Sequence, residues 1–441
     1  MTETSPESAA PDGEVVDLCR DLIRLDTSNY GDGSGPGERK AAEYVAEKLS
    51  EVGIEPVVLE SEPGRTTVVA RLDGAEPART DALLVHGHLD VVPADAADWT
   101  HDPFSGEIAD DCIWGRGAID MKDMDAMILS VVRDRLRTGR PPARPIVLCF
   151  LADEEAGGIL GSHWVADHHP ELFEDCTEGI SEVGGFSLTV RDDLRLYLVE
   201  TAQKGIEWMR LTVEGTAGHG SMVNHDNAVT ELAEAVARLG RYEWPLRLTP
   251  TVRYFLDAAS EAYGVTLDPN DREQLVRTLG GVAKVIGATL RNTTNPTMLR
   301  AGYKHNVIPG RAEAHVDGRF LPGHEAEFRA TLDEVLGPRV RRDVLVSDIA
   351  LETEFTGDLV EAMSAALVAE DPGAMAVPYC LSAGTDAKAF SGLGIRGFGF
   401  SPLRLPPGLD FAGMFHGVDE RVPIDGLRFG ARVLDHFLDL A

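Results

Sequence analysis

The chain has 441 residues, 43% hydrophobic and 26% charged, enough to bury more than one core and ordinary for a globular protein. Its 73 acidic residues against 41 lysines and arginines give a net charge of −32, a field that repels nucleic acid and anionic membrane and excludes both as partners. No apolar run reaches the ~20 residues needed to cross a bilayer. Five scattered cysteines (Cys19, Cys112, Cys149, Cys176, Cys380) without CxxC spacing exclude a disulfide framework or thiolate zinc site and point to a reducing cytoplasm.

Residues 1–14 are polar and acidic, without a basic or apolar signal region, and read as a short disordered leader. Val15, Leu18, Leu22 and Leu25 predict a helix over 14–25, and residues 29–37 a loop. A second helix starts near Glu38, with Gly53 placed to cap it. Strands follow over 67–72 and 82–89, separated by a polar loop from Asp73 to Pro77. A pair of short strands is expected within 105–116, a tight turn at 115–117, and a helix over 120–136. The apolar run at 145–152 is a second buried strand, and both buried strands end in acid. Alternating helices and apolar strands of this kind predict an α/β fold with a mainly parallel sheet, whose ligands bind off the carboxyl ends of its strands.

Beyond Lys204 the character changes. An alternating strand at 208–214, a glycine-rich loop at 215–221, helices through 230–280 and another alternating strand within 306–320 predict a separate α+β domain with a one-sided antiparallel sheet. The helix–strand rhythm returns from 351, ending in an amphipathic helix over 426–440. The expected organisation is a catalytic domain built from 1–203 and 351–441, split by an inserted lid and dimerisation domain at 204–350.

His88 and Asp90 leave the 82–89 strand on one side, since residues two apart in an extended chain point the same way. A carboxylate at that spacing suits the partner of a metal-bound imidazole, though a structural histidine fits equally. Asp120 stands where a helix N-cap is the ordinary reading. Glu154 and Glu155 diverge at a strand end, so that one can bind metal while the other faces water. Glu182 precedes two glycines, and His416 sits between apolar residues and a glycine. Together these are the oxygen and nitrogen donors, with a base beside them, that a hydrolytic metal site needs, and a carboxylate shared by two cations accounts for so acidic a set.

The segments HLDVVP at 88–93, GRGAIDMK at 115–122, the acidic run at 153–155 and HGVDERVP at 416–423 resemble the family-20 metallopeptidases in order and spacing. That family includes aminoacylases, acetylornithine deacetylase, succinyl-diaminopimelate desuccinylase, glutamate carboxypeptidases and dipeptidases. The resemblance implies two divalent ions, zinc with cobalt or manganese as alternatives, bridged by Asp120. One ion takes His88 and Glu182, the other Glu155 and His416, with Glu154 as general base and Asp90 behind His88. It also implies that His219 of GTAGHGS reaches the scissile carbonyl, often across a homodimer through the lid. Asn306 and Arg319 are implied to hold the substrate carboxylate, with Gly384 and Thr385 nearby. A guanidinium suits that task by its bidentate geometry. The 241–287 segment is longer and more helical than the family's compact lids.

The implied reaction is hydrolysis of an amide or peptide bond in a small peptide carrying a free carboxylate, as in a carboxypeptidase or dipeptidase, with an N-acyl-amino-acid deacylase as the alternative. A non-catalytic metal-binding relative is expected to lack Glu154 or a ligand, and none is missing. The glycine signatures of a serine hydrolase or a dinucleotide fold are absent from the sequence.

Overall fold

The computed structural model describes residues 10–75 and 80–441. Residues 1–9 of the expected leader, and the Glu76–Pro77 end of the expected polar loop, lie outside the described residues.

The larger body is a mixed ten-stranded sheet, parallel through its centre. Its Ala82–His88 strand is buried along its whole length and runs parallel to both neighbours, Ile146–Leu151 and Cys176–Ser181. Arg396–Gly399 continues the parallel run beside Cys176–Ser181. Arg65–Leu72 and Val57–Glu62 close one side antiparallel. On the other side Leu194–Gln203 pairs in parallel with Ala374–Leu381 and antiparallel with Phe186–Arg191 and Leu351–Glu352.

Both faces are covered, which is why the inner strands read as continuous apolar runs. Leu83 and Val85 enter the larger core, under the helices Val15–Arg24, Lys122–Thr138 and Ile424–Leu440, while Leu84 enters a smaller one with Val165, Phe173 and Phe390. Each such fully buried side chain contributes roughly 1.5–3 kcal/mol.

The second body is a four-stranded antiparallel sheet in the order Thr293–Ala301, Arg311–Phe320, Gly205–Glu214, Arg341–Asp348. Helices Ala228–Gly240 and Glu325–Leu336 cover one face, burying Leu232 and Leu332 against Met209, Leu211, Ala314 and Val316. Trp208 and Leu345 on the opposite face are exposed.

The 204–350 stretch divides between the two bodies. Helices Pro250–Tyr263 and Val282–Thr289 pack on Ala374–Leu381, and Phe255, Ala259 and Ile286 belong to the larger core. The chain therefore passes between the bodies four times, near 204, 245, 291 and 349. Buried lysines tie these passages together. Lys204 Nζ donates to the carbonyls of Ala288 and Arg291 and to Thr293 Oγ1, each at 3.0 Å. Lys388 Nζ donates to the Lys204 carbonyl at 3.0 Å and pairs with Asp348 at 3.1 Å. Trp244 Nε1 donates to Thr294 Oγ1 at 3.1 Å, joining the middle two.

Glu200, 3% exposed on the Leu194–Gln203 strand, is pushed up to about 8, burial outweighing the Gln203 amide that bonds it. A carboxyl raised in the fold binds more protons folded than unfolded, so its stabilising effect is complete below pH ~4.3 and is lost as pH rises through about 8. Glu200→Gln removes that dependence. Denaturant unfolding of the metal-free protein should show the variant gaining on the parent by a few kcal/mol between about pH 5 and 8.

Candidate metal centre

Three neighbouring parallel strands deliver acid or imidazole from their carboxyl ends. Ala82–His88 ends in His88, Ile146–Leu151 leads to the single turn Glu154–Ala156, and Cys176–Ser181 leads to Glu182. Asp120 stands before helix Lys122–Thr138, and His416 follows the short helix Phe411–Met414 with φ of +57°. Two glycines make the approach possible. A Cβ on Gly184 would lie 1.9 Å from the Gly399 carbonyl, and one on Gly87 2.4 Å from Asp125.

These elements bring six predicted residues into one cluster. His88 Nε2 lies 3.2 Å from Asp120 Oδ1, 3.5 Å from Glu182 and 3.9 Å from Glu154. His416 Nε2 lies 3.3 Å from Asp120 Oδ2 and 3.2 Å from Glu155 Oε2. Each oxygen of Asp120 thus faces a different histidine. Donor atoms of His88, Asp120 and Glu155, and likewise of His88, Glu154 and Glu182, lie within 4.8 Å of one another. All but His416 are largely or fully buried.

His88 Nδ1 donates to the Asp90 carbonyl at 2.9 Å, which turns Nε2 toward the acids, 3.2 Å from Asp120 Oδ1. The Asp90 carboxylate lies 3.5 Å from the same nitrogen, and it accepts the backbone N–H groups of Glu154 at 3.0 Å and Glu155 at 3.1 Å. Glu155 Oε1 accepts from the Val92 N–H at 3.2 Å, leaving Oε2 to His416.

The electrostatics are those of too many carboxylates in too little space. Two like charges about 4 Å apart repel by about 4 kcal/mol at an effective dielectric of ~20. Burial raises Glu182 to about 7 and pushes Glu154 well above the carboxylate range, with Glu182 adding to the latter. Of the four clustered carboxylates Asp120 alone is held low, its burial outweighed by hydrogen bonds to His416 and His88, as Asp90 behind His88 also is by its own hydrogen bonds. The hydrogen bonds of Asp120 and Glu155 carry His416 up to about 10. Hard oxygen donors with two imidazoles and no sulfur suit zinc, cobalt or manganese, and divalent cations would replace the protons that this crowding otherwise requires.

The other predicted residues stand apart. His219 is exposed on the Gly218–His219 strand, paired with Val307–Ile308, and its ring bonds Ser221 at 2.8 Å. Asn306 is beside it, its carbonyl accepting from Gly220 N–H at 2.9 Å. Arg319 lies near the end of strand Arg311–Phe320 and is gripped by Asp317 at 2.7 and 3.2 Å. Among the described residues, none of the three has a hydrogen bond or ion pair to the cluster. Thr385 is buried and exchanges hydrogen bonds with Gln203 at 2.7 and 2.9 Å, and Gly384 abuts Lys388 Nζ.

Two side chains next to the cluster belong to no motif. Asn29 contacts Asp90 and Asp153, and Gln203 fixes the Thr385 loop. The only sequence signal for either is a polar residue in a segment that proves buried.

The model of peptidase family M20/M25/M40 matches residues 84–440. A probable carboxypeptidase S-like 2 of Dictyostelium discoideum is 29% identical over 78% of this chain and 68% of its own length. Aminoacylase-1 of Sus scrofa is 27% identical over 92% of this chain and 90% of its own. Among solved structures, an M20 family metallo-carboxypeptidase from Sulfolobus solfataricus superposes with a TM-score of 0.74 at 18% identity, covering 97% and 99% of the two chains. Strand-end oxygen and nitrogen donors, paired histidines around one aspartate and a family match spanning most of the chain agree, and the chain belongs to peptidase family M20/M25/M40.

Proposed function

We propose that this enzyme hydrolyses the amide or peptide bond of a small substrate with a free carboxylate, in the manner of a carboxypeptidase or dipeptidase, using two zinc ions. The observation that carries the two-ion reading is Asp120, whose two oxygens face His88 and His416 separately. On this reading His88, Glu182 and Asp120 would hold one ion, and His416, Glu155 and Asp120 would hold the second. When bound, such a pair polarises a carbonyl and acidifies water.

Glu154 is the base in this reading. It takes a proton from the attacking water and returns it to the leaving amine, a task open to a carboxylate 3.9 Å from His88 at the edge of the proposed ligands. Asp90 fixes the His88 tautomer and anchors both glutamates. His219, at the lid tip and free of the cluster, steadies the carbonyl oxygen, acting from the partner subunit of a homodimer. Asn306 and Arg319 take the substrate carboxylate, and the Gly384–Thr385 loop borders it. We assign residues 1–203 and 351–441 to the catalytic domain, with the lid within 204–350, and the cytoplasm as its compartment. The N-acyl-amino-acid deacylase reading is favoured by one observation, the similarity to aminoacylase-1 over 92% of the chain.

Purified protein reconstituted with Zn²⁺, Co²⁺ or Mn²⁺ is expected to release free amino acid from dipeptides faster than from matched N-acetyl amino acids, and to stop on chelation. The reverse order of rates assigns the deacylase. Glu154→Gln should lower kcat by about 10²–10⁴-fold with two ions still bound per chain. Retained turnover removes Glu154 from the base role. Arg319→Ala should cost about 1.5–3 kcal/mol in kcat/KM, confined to substrates with a free carboxylate, a charge-assisted bond's worth. An equal loss on carboxyl-amidated substrates removes the clamp.

A further inference from the structure

Asn29 lies in a loop that runs beside the segment following His88. Thr27 Oγ1 donates to the Leu89 carbonyl at 2.7 Å, and Asn29 N–H to the Val91 carbonyl at 2.9 Å. The Asn29 side chain is 4% exposed as a residue and uses its full hydrogen-bonding capacity. Nδ2 donates to Asp90 Oδ2 at 2.9 Å and to Asp153 Oδ1 at 3.1 Å. Oδ1 accepts from Arg65 Nη2 at 2.9 Å and from Gly31 N–H at 3.0 Å. Arg65 is itself buried and paired with the fully buried Glu38.

The two carboxylates that share this amide control the two glutamates. The backbone N–H groups of both Glu154 and Glu155 hang from Asp90. Asp153 precedes them with φ of +67°, a conformation costly for a residue with a Cβ, and its other oxygen accepts from Leu160 N–H at 2.9 Å. The buried Arg65 Nε lies 3.8 Å from Asp153 Oδ1 and so meets one of these anions, while Asn29 is the neutral partner that hydrogen-bonds both. Asparagine is the short side chain that offers two N–H donors on one neutral group. A carboxylate there would bring a third anion into the same space, and a truncated side chain would leave both carboxylates short of a donor.

We infer that Asn29 is the positioning residue of the Glu154–Glu155 pair, its carboxamide locking Asp90 and Asp153 at the separation that aims one glutamate at His416 and the other at His88. The inference rests on the two-ion reading for its metal and rate readouts, and stands independently of it in the metal-free protein.

The experiment compares full-length parent, Asn29→Ala and Asn29→Asp, each confirmed as folded by a cooperative melt without metal. In the metal-free Asn29→Ala protein, amide exchange across 153–160 should accelerate about tenfold or more, while strand Ala82–His88 and helix Lys122–Thr138 keep the parental rates. With zinc added, one of the two ions should be lost to a competing chelator at about 10–100-fold lower chelator concentration, and kcat should fall by a like factor with KM within about twofold. Asn29→Asp should be worse than Asn29→Ala on all three measures, because it adds charge where alanine only removes donors. Parental exchange, zinc retention and kcat in a folded Asn29→Ala protein would overturn the inference, as would Asn29→Asp proving milder than Asn29→Ala. If Asn29→Ala does not fold, Asn29→Ser, which keeps one donor, is measured in its place. If the parent itself binds no zinc, the two-ion reading fails, and the exchange measurement alone decides the role of Asn29.

Discussion

The structure turns on the mutual repulsion of carboxylates gathered at the ends of adjacent parallel strands. Asp120, Glu154, Glu155 and Glu182 cannot all ionise in that space by themselves, and only the imidazoles of His88 and His416 relieve them. It holds them there by backbone means. Inner strands of a doubly covered sheet supply His88 and the residues after Leu151 and Ser181, and strand register fixes their spacing. Moving one donor would require moving a strand whose side chains fill two cores. The cost of crowding is thus offset by the sheet, and the crowding makes the site a strong competitor for cations.

The residues proposed to meet the substrate are kept on a different body. His219, Asn306 and Arg319 make their bonds within the smaller domain, and Arg319 rests on Asp317. In a chain of charge −32, that guanidinium is held by a neighbouring carboxylate, which keeps the smaller body nearly neutral there. On the proposed reading, the division separates the task of holding cations from that of choosing an anion.

Much of this was legible in the sequence, and for physical reasons. Strands buried on both faces must be apolar throughout, so 82–89 and 145–152 stood out, and the acids that ended them were conspicuous. Strand Arg311–Phe320 announced itself by strict alternation, because one face is covered and one is wet. Other elements carried no such sign. Cys176–Ser181 and the distal part of Leu194–Gln203 are buried yet polar, and Glu200, Thr201 and Gln203 are tolerated because hydrogen bonds satisfy them. Helices over 250–289 were visible as helices, but periodicity says only that a face is buried, not on which body. Asn29 was hidden most completely. A loop rich in glycine reads as solvent-exposed, and only three-dimensional proximity shows the Asn29 amide wedged between two buried anions.

The four passages of chain between the bodies set what the lid can do. A domain hung from two adjacent linkers can swing like a door. Here Lys204 and Lys388 tie three of the four cords into one knot, and Trp244 joins the fourth to it. Pulling the knot open would leave buried charges without acceptors, at several kcal/mol each. Arg319 pairs with Ile206 two residues from that knot, whereas His219 sits on the separate ribbon it forms with Val307, so the knot fixes the first far more directly than the second.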